Sequence, residues 1–253
     1  MDLGLTGKKA IVSGASRGIG RAIAQALADE GASLAICARG AEKLDVAAAE
    51  LGATTKVFHQ AVDVADHDAL RAFVDASAEA LGGLDIVVVN ASASSGRGHD
   101  SWVRNFDIDL MSLVYFIESA VPHLENSDSA AIVDIATTSA IEAGVLRTNG
   151  GYGALKAAAL QHVSSQARAL GPQGIRVNAV SPGPTYFKDG DWQTMEEQRP
   201  ELFRTARENI ALGKFGTDVD VANAVAFLVS PAAGHITGTN LIVDGGFTNR
   251  FDF

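Results

Sequence analysis

Near its start the chain reads Ala10-Ile11-Val12-Ser13-Gly14-Ala15-Ser16-Arg17-Gly18-Ile19-Gly20, an apolar run followed by a glycine-rich turn. A helical pattern comes next, with Ile19, Ile23 and Leu27 on one apolar stripe before Gly31 ends it. The stretch therefore predicts a strand, a tight turn and an amphipathic helix in direct succession.

The glycine spacing of this turn is a variant of the dinucleotide-binding fingerprint, with the first gap widened. Gly14 permits the tight turn, Gly18 the close approach of a phosphate, and Gly20 the packing of helix on strand. Backbone amides at the start of the helix can then cradle a pyrophosphate. The residues of the turn predicted to contact the cofactor also include Ser16, Arg17 and Ile19.

Apolar, β-rich runs alternate with helical patterns along the chain, which is typical of a parallel sheet covered on both faces. Strands are predicted near Lys9–Ser13, Ser33–Cys37, Lys56–Gln60, Ile86–Asn90, Ala131–Ala136, Arg176–Val180 and Asn240–Val243. Helices are predicted at about 18–30, 41–51, 66–81, 101–124, 151–170 and 218–230. The predicted fold is α/β: residues 1–253 form a single-domain doubly wound parallel sheet (Rossmann) of about seven strands, with helices on both faces.

The composition argues against several classes of protein. Of 253 residues 47% are apolar, and no segment of about 18 residues is both apolar and free of charge, so no membrane span is predicted. The N-terminus lacks the pattern of a secretory signal, and a cytoplasmic location is expected. A net charge of -10 argues against nucleic acid and anionic membrane as partners.

Cysteine and histidine usage predicts neither a disulfide nor a metal site. The single cysteine, Cys37, falls in a predicted strand and is expected to be buried. The six histidines include no pair at zinc-ligand spacing. No metal-ligating residue is therefore predicted.

A second motif lies far downstream, where Tyr152 and Lys156 are four residues apart in a helical pattern. If Tyr152 begins a helix, the spacing brings the lysine ammonium beside the phenol on one face. Such a pair can carry out acid/base chemistry, because a nearby ammonium favours the phenolate and lowers a tyrosine pKa from its usual value near ~10. A dinucleotide together with an acid/base tyrosine predicts hydride transfer.

The end of the second predicted strand bears on the choice of cofactor. An Asp at this position binds both ribose hydroxyls of NAD, but this chain reads Cys37-Ala38-Arg39. With Arg17 in the glycine turn, Arg39 can bracket a 2'-phosphate through charge-assisted hydrogen bonds. The sequence predicts NADP in preference to NAD. Weaker assignments place Asp63 and Val64 at the adenine edge and Asn90-Ala91-Ser92 beneath the ribose.

The segment from Thr185 to Gly216 breaks the alternation after the sixth predicted strand and carries several aromatic residues. Loops of this length in compact domains are usually functional. Its portion from Gln193 to Ile210 has a helical pattern, which favours an amphipathic lid over a substrate pocket at about 185–216. The alternative is that the aromatics only pack the segment onto the core or onto a neighbouring subunit.

The chain resembles the short-chain dehydrogenase/reductase family almost from end to end. The motifs of the family are matched in order along the chain. The matching segments are Ser13 to Gly20, Asp63-Val64, Asn90-Ala91-Ser92, Ile132-Val133-Asp134-Ile135, Tyr152 with Lys156, Arg176-Val177-Asn178, Ser181-Pro182-Gly183-Pro184, and Gly238 with Val243-Asp244-Gly245-Gly246. The resemblance implies that Tyr152 transfers the proton and that Lys156 binds the nicotinamide ribose and lowers the tyrosine pKa.

The resemblance also implies a serine that orients the substrate carbonyl, and here two positions compete. The usual spacing back from Tyr152 selects Ser139, whereas counting from the preceding strand selects Thr137. Either hydroxyl can donate to a carbonyl oxygen, and Ser139 is favoured because the methyl group of threonine would crowd the substrate.

Two further positions are assigned by resemblance. Asp109 stands where the family usually has an asparagine that helps to hold a water on the proton path, so a proton relay through Asp109 is expected. The turn that includes Pro182, Gly183 and Thr185 resembles the one that lies against the nicotinamide amide, where Thr185 would bond the carboxamide or a phosphate.

The predicted activity is reversible NADP(H)-dependent interconversion of a ketone or aldehyde and an alcohol, on an apolar or ring-containing small molecule. Alternatives within the enzyme class are a 3-oxoacyl carrier-protein reductase and, less favoured, a dehydratase or epimerase. An alternative from another class is a non-catalytic NADP(H)-binding sensor. The resemblance further implies a homotetramer built on the helices at about 101–124 and 151–170.

Overall fold

A computed structural model describes residues 2–142 and 150–249. Its strands are β1 (Lys9–Ser13), β2 (Ser33–Ala38), β3 (Val57–Ala61), β4 (Ile86–Val89), β5 (Ala131–Ile135), β6 (Arg176–Pro182), β7 (Thr185–Tyr186), β8 (Gly216–Thr217) and β9 (Asn240–Val243). Seven of them form one parallel sheet in the order β3-β2-β1-β4-β5-β6-β9, and β7 pairs with β8 in a second small sheet. The predicted doubly wound sheet of seven strands is confirmed.

The α-helices are α1 (Gly18–Asp29), α2 (Ala41–Gly52), α3 (His67–Leu81), α4 (His99–Asn105), α5 (Ser112–Leu124), α6 (Tyr152–Leu170), α7 (Asp191–Gln198), α8 (Pro200–Glu208) and α9 (Asp218–Val229). Two apolar layers flank the sheet. Helices α1, α2 and α9 cover one face, and α3, α5 and α6 cover the other. Because both faces are buried at the centre of the sheet, β1, β2, β4 and β5 are nearly continuous apolar runs, whereas the edge strand β3 is partly exposed.

Two predicted helices are interrupted. The helix expected over 101–124 contains a π-helical segment, Phe106–Met111, between α4 and α5. The helical stretch expected from Gln193 to Ile210 is two helices, because Pro200 cannot donate the backbone hydrogen bond that a continuous helix needs. Both interruptions lie beside the site described below.

The sheet order reverses between β1 and β4, since the chain passes from β3 back across β1 to reach β4. Crevices that bind ligands in such sheets open at this reversal, beyond the carboxyl ends of the strands. Within the described part of the chain, no helix is both long enough and apolar enough to cross a membrane.

Candidate active site

A cleft of about 1370 Å³ opens at the carboxyl ends of the strands. Most of the residues predicted to bind cofactor or substrate line it: Gly14, Ser16, Arg17, Ile19, Gly20, Arg39, Asp63, Val64, Asn90, Thr137, Ser139, Tyr152, Pro182, Gly183 and Thr185. Gly18, Lys156 and Asp109 do not line this cleft. The fold therefore gathers residues from almost every strand end into one space.

The glycine turn is held by Asn90, at the end of β4. Its side-chain amide donates to the carbonyl oxygens of Ser13 (2.9 Å) and Gly14 (3.3 Å). The Ser13 hydroxyl accepts from the backbone N–H groups of Asn90 and Ala91 at 2.9 and 3.1 Å. A Cβ atom on Gly20 would collide with this amide, so the glycine is required for the close packing of turn and strand. The Asn90 side chain thus supports the turn.

The far side of the turn contacts the segment that follows β7. Gly18 has φ of +54°, and a Cβ atom there would lie 2.5 Å from Cε2 of Phe187. The Arg17 guanidinium donates to the Asp189 carbonyl at 2.6 Å. The expected lid segment therefore touches the cradle predicted for the pyrophosphate.

One corner of the cleft, beyond β2, carries two cations and one carboxyl group, that of Glu42. Arg39 and Lys43 are both exposed, and both line the cleft around the start of α2. Lys43 was not predicted as a cofactor contact, although it lies four residues after Arg39. Arg17 lines the same cleft, so three cations border the space next to the glycine turn.

Tyr152 begins α6, as the spacing argument requires, and is partly buried in the cleft wall. One turn further on, Lys156 is 1% exposed. Its ammonium donates to the Ile135 carbonyl at 2.6 Å, at the end of β5. This bond fixes the lysine directly behind the cleft.

Two buried carboxyl groups flank the ammonium of Lys156. Asp109 Oδ1 lies 3.9 Å from Nζ, and Asp134 Oδ1 lies 3.5 Å from it. Asp109 belongs to the π-helical segment, and its Oδ2 accepts from the Asn105 side chain at 2.7 Å and from the Ala93 backbone at 3.3 Å. Asp134 belongs to β5 and was not predicted as a site residue.

These charges alter the pKa of both catalytic candidates. Burial raises the pKa of the Tyr152 phenol above its ordinary value, Lys156 opposes this, and Asp109 and Asp134 add to it. Burial alone would lower the pKa of Lys156, but Asp134 and Asp109 outweigh burial and raise it. As expected from the sequence, Lys156 lowers the Tyr152 pKa, but the effect of burial is larger and the pKa is raised overall.

The two candidate hydroxyl groups differ in their surroundings. Thr137 is buried, lies at the end of β5 and contacts the Tyr152 phenol closely enough to lower the pKa of the phenol. Its hydroxyl accepts from the Ser139 backbone N–H at 3.2 Å. Ser139 also lines the cleft but is exposed. The geometry thus favours Thr137, against the preference drawn from the sequence.

The turn after β6 brings Thr185 into the cleft. The Thr185 hydroxyl donates to the Gly183 carbonyl at 3.0 Å. The Gly183 N–H donates to the Val243 carbonyl oxygen at 2.9 Å. A Cβ atom on Gly183 would lie 2.5 Å from Cβ of Asp244. This turn is therefore packed tightly against the end of β9.

The aromatic residues of the segment from Thr185 to Gly216 divide into two groups. Tyr186, Phe203 and Phe215 pack on one another, with the Phe203 and Phe215 rings stacked at 4.4 Å. Trp192 joins them, 5.0 Å from Phe215, and also lines the cleft. The cleft-lining residues of the segment also include Phe187 and Met195. Part of the aromatic content thus stabilises the segment itself.

Sequence reasoning missed several residues of the site: Lys43, Trp102 and Asp134. Lys43 lies in the first turn of α2, just after the strand end that carries Arg39, and this short distance in sequence was a usable signal. Trp102, on α4, is 45% exposed and lines the cleft, although nothing in its local sequence indicates this. Among the residues described, no group of three or more His, Cys, Asp or Glu side chains could hold a metal ion.

Comparisons with known proteins agree with this geometry. The family model adh_short_C2, described as enoyl-(acyl carrier protein) reductase, matches residues 14–248. Isoepoxydon dehydrogenase patN of Penicillium expansum is 38% identical over 252 residues, which cover 97% of this chain and 96% of that protein. The 3-oxoacyl-[acyl-carrier-protein] reductase FabG of Staphylococcus aureus is 34% identical over 246 residues, which cover 94% of this chain and 97% of that protein.

A solved structure, a short chain dehydrogenase from Burkholderia cenocepacia J2315 in complex with NADP, is also similar. It has a TM-score of 0.85 and 35% identity, and the match covers 96% of this chain and 98% of that one. Family model, sequence relatives and structural neighbour all extend over nearly the whole chain. The chain belongs to the short-chain dehydrogenase/reductase family.

Proposed function

We propose that this protein is an NADP(H)-dependent oxidoreductase that interconverts a ketone or aldehyde and an alcohol. One observation carries the proposal: the Tyr152 phenol and the glycine turn line the same cleft, with the Lys156 ammonium held behind the phenol. An acid/base group and a dinucleotide cradle are the two components that carbonyl reduction requires.

The residues present fit a dinucleotide. Gly14 and Gly18 both have positive φ, and the turn leads directly into the N-terminus of α1, which favours phosphate groups. Arg39, Lys43 and Arg17 supply the positive charge that a 2'-phosphate needs, which favours NADP over NAD. Asp63, Val64, Asn90 and the turn that includes Pro182, Gly183 and Thr185 complete the proposed binding surface.

When bound, the nicotinamide supplies or accepts the hydride. Tyr152 then donates a proton to the carbonyl oxygen in reduction or accepts one from the alcohol in oxidation. Lys156 stabilises the phenolate form by its charge. Thr137 donates a hydrogen bond to the substrate oxygen, and Asp109, whose carboxyl group lies 3.9 Å from the Lys156 ammonium, takes part in the proton relay.

The lining of the cleft favours an apolar or ring-containing substrate. Trp102 contributes from α4, and Trp192, Met195 and Phe187 contribute from the segment after β7. We propose that the chain is one domain in which residues 185–216 form the substrate lid. The flat faces of the two tryptophans suit stacking on a ring.

The test is a panel of cyclic and open-chain ketones, with NADPH oxidation followed at neutral pH and Tyr152→Phe as the matched variant. Turnover of cyclic ketones that is lost in the variant supports the proposal. Tight NADPH binding without turnover of any ketone would contradict it and would favour a non-catalytic NADP(H) sensor.

A second candidate, 3-oxoacyl carrier-protein reductase, is favoured by the similarity to the FabG protein. An acidic carrier protein requires a basic docking surface, and a net charge of -10 does not favour one. Rates with a 3-oxoacyl carrier-protein substrate and with the free thioester distinguish the two functions. A large preference for the carrier-bound substrate would replace the first proposal by the second.

We further propose a cytoplasmic homotetramer. Val103 and Phe106, on α4 and the π-helical segment, are each 45% exposed and lie outside the cleft, which supports an interface on this side. A single cysteine, buried as expected, suits a reducing compartment. Sedimentation of a monomer at micromolar concentration would contradict the tetramer, and cell fractionation tests the location.

A further inference from the structure

Asp134 is a buried carboxyl group for which the proposed reaction has no role so far. It is 0% exposed and lies on β5 beneath the floor of the cleft. It points to the same face of the sheet as Ile132 and Ala136, towards α5 and α6. Within the described residues, neither of its oxygens has a hydrogen-bond partner, although Oδ1 is 3.5 Å from the Lys156 ammonium.

The charges around Lys156 do not balance if both carboxyl groups are ionised. One ammonium then faces two carboxylates, and the cluster carries a net charge of -1 out of reach of solvent. A buried carboxylate without hydrogen bonds is strongly disfavoured, and such groups usually take up a proton instead.

The two carboxyl groups are not equivalent. Asp109 accepts two N–H donors, from Asn105 and Ala93, and these favour its ionised form. Asp134 has no backbone or amide donor, and the Lys156 ammonium, 3.5 Å from Oδ1, favours its ionisation by its charge and by a long contact that do not offset burial. The proton is therefore expected on Asp134, and burial accordingly raises its pKa.

The titratable groups that face Asp134 are few. Lys156 and Tyr152 come from α6, and Asp109 comes from the π-helical segment. Its partners on the adjacent strands, Val89 on β4 and Ala179 on β6, are apolar. On α5, which covers the same face, Glu118 is exposed to solvent.

We propose that Asp134 is a positioning residue for Lys156 and that its carboxyl group is protonated at neutral pH. In this form Asp134 holds the ammonium in place without cancelling its charge, so that Lys156 is paired with one carboxylate, that of Asp109. The charge of Lys156 then remains available to the Tyr152 phenol. This inference rests on the proposed function of Lys156, whereas the protonation state can be measured without any turnover.

Infrared difference spectroscopy at neutral pH, between the parent and Asp134→Asn, tests the protonation state directly. A carbonyl stretch of a protonated carboxyl group, present in the parent and absent from the variant, supports the proposal. The control is Asp128→Asn, which removes an exposed carboxylate paired with Lys8 and should leave that band in place. Absence of the band from the parent would overturn the proposal, whether or not the protein reduces ketones.

Turnover tests the positioning role. Asp134→Asn keeps the shape of a neutral carboxyl group and is expected to lose only a few-fold in kcat/KM. Asp134→Val removes the polar contact and is expected to lose at least tenfold, with weaker NADPH binding and with folding checked by thermal denaturation. If the Asn variant loses as much as the Val variant, or if the Val variant keeps parental kcat/KM, Asp134 does not position Lys156.

Discussion

The Thr137 hydroxyl lies beside the Tyr152 phenol and opposes the rise in the phenol pKa that burial causes, whereas Ser139 is exposed further along the cleft wall. Thr137 is buried at the end of β5, the strand whose Ile135 carbonyl also holds Lys156. The last residue of β5 and the turn that follows it therefore place both the anchor of the lysine and a hydroxyl donor.

Thr137→Ala is expected to lower kcat/KM for ketone reduction by about 10²- to 10³-fold, the usual effect of removing a donor to a developing oxyanion. Ser139→Ala should change it little, and Thr137→Ser keeps the hydroxyl and should retain most of the activity. Steady-state kinetics of the three variants decide the matter. If Ser139→Ala loses more kcat/KM than Thr137→Ala, Ser139 is the hydroxyl group that donates to the substrate carbonyl.

Tyr152→Phe removes the proposed proton donor and should reduce kcat by about 10²- to 10⁴-fold. The binding of NADPH, followed by fluorescence, should be almost unchanged, because the phenol acts on the substrate oxygen. Tyr115→Phe is the matched control, since Tyr115 stacks on His67 and does not line the cleft. Equal activity of parent and Tyr152→Phe would exclude the mechanism.

The pH dependence follows from the Tyr152 pKa, which burial raises above the ordinary value. At neutral pH the phenol is then protonated, the form that carbonyl reduction needs, and reduction should be flat near neutral pH and fall as pH rises through the raised pKa. Alcohol oxidation needs the phenolate and should increase over the same alkaline range. Initial rates of ketone reduction and alcohol oxidation, measured across the alkaline range, test this opposite pH dependence. An oxidation rate that falls as pH rises, in an enzyme that is still folded, would contradict the prediction.

Arg39→Ala should weaken NADPH binding by about tenfold or more, because a hydrogen bond between charged groups contributes about 1.5–3 kcal/mol. NADH binding should hardly change, since NADH lacks the 2'-phosphate. Titration calorimetry with both nucleotides provides the comparison, and Arg71→Ala, an exposed arginine on α3 outside the cleft, is the control. If the affinities for NADH and NADPH fall equally, Arg39 does not bind the 2'-phosphate.

Burial raises the pKa of Cys37 to about 12, and the thiol is enclosed in β2. Because the thiolate is the reactive form, the folded protein should not react with thiol reagents at neutral pH. Reaction should begin only as denaturant unfolds the sheet, so that the labelling rate reports the free energy of opening. Rapid stoichiometric labelling of the folded protein would contradict this.

The central strands were predictable because both faces of the sheet are buried there, which makes each of them an apolar run bounded by turn residues. The two-residue strands β7 and β8 carry no such run and were not predicted. The glycine turn and the spacing of Tyr152 and Lys156 were equally local signals. The π-helical segment was not predictable, because the hydrophobic pattern of Phe106 to Met111 does not distinguish it from an α-helix.

The surroundings of Lys156 also lay beyond sequence reasoning. Asp134 lies 22 residues before Lys156 in the chain and Asp109 lies 47 before it, so only the packing of α6 on the sheet brings the three together. The spacing of Tyr152 and Lys156 therefore predicted one ionisable partner near the phenol, and tertiary structure added two carboxyl groups.

The contact between Phe187 and Gly18 has a consequence for the order of events in a catalytic cycle. The ring packs on the side of Gly18 where a Cβ atom would lie, so a phosphate that binds on that side of the turn must displace the ring. Phe187 and Trp192 belong to the same short segment, and displacing one alters the wall against which a substrate rests. We expect a compulsory sequence in which the nucleotide enters first and departs last.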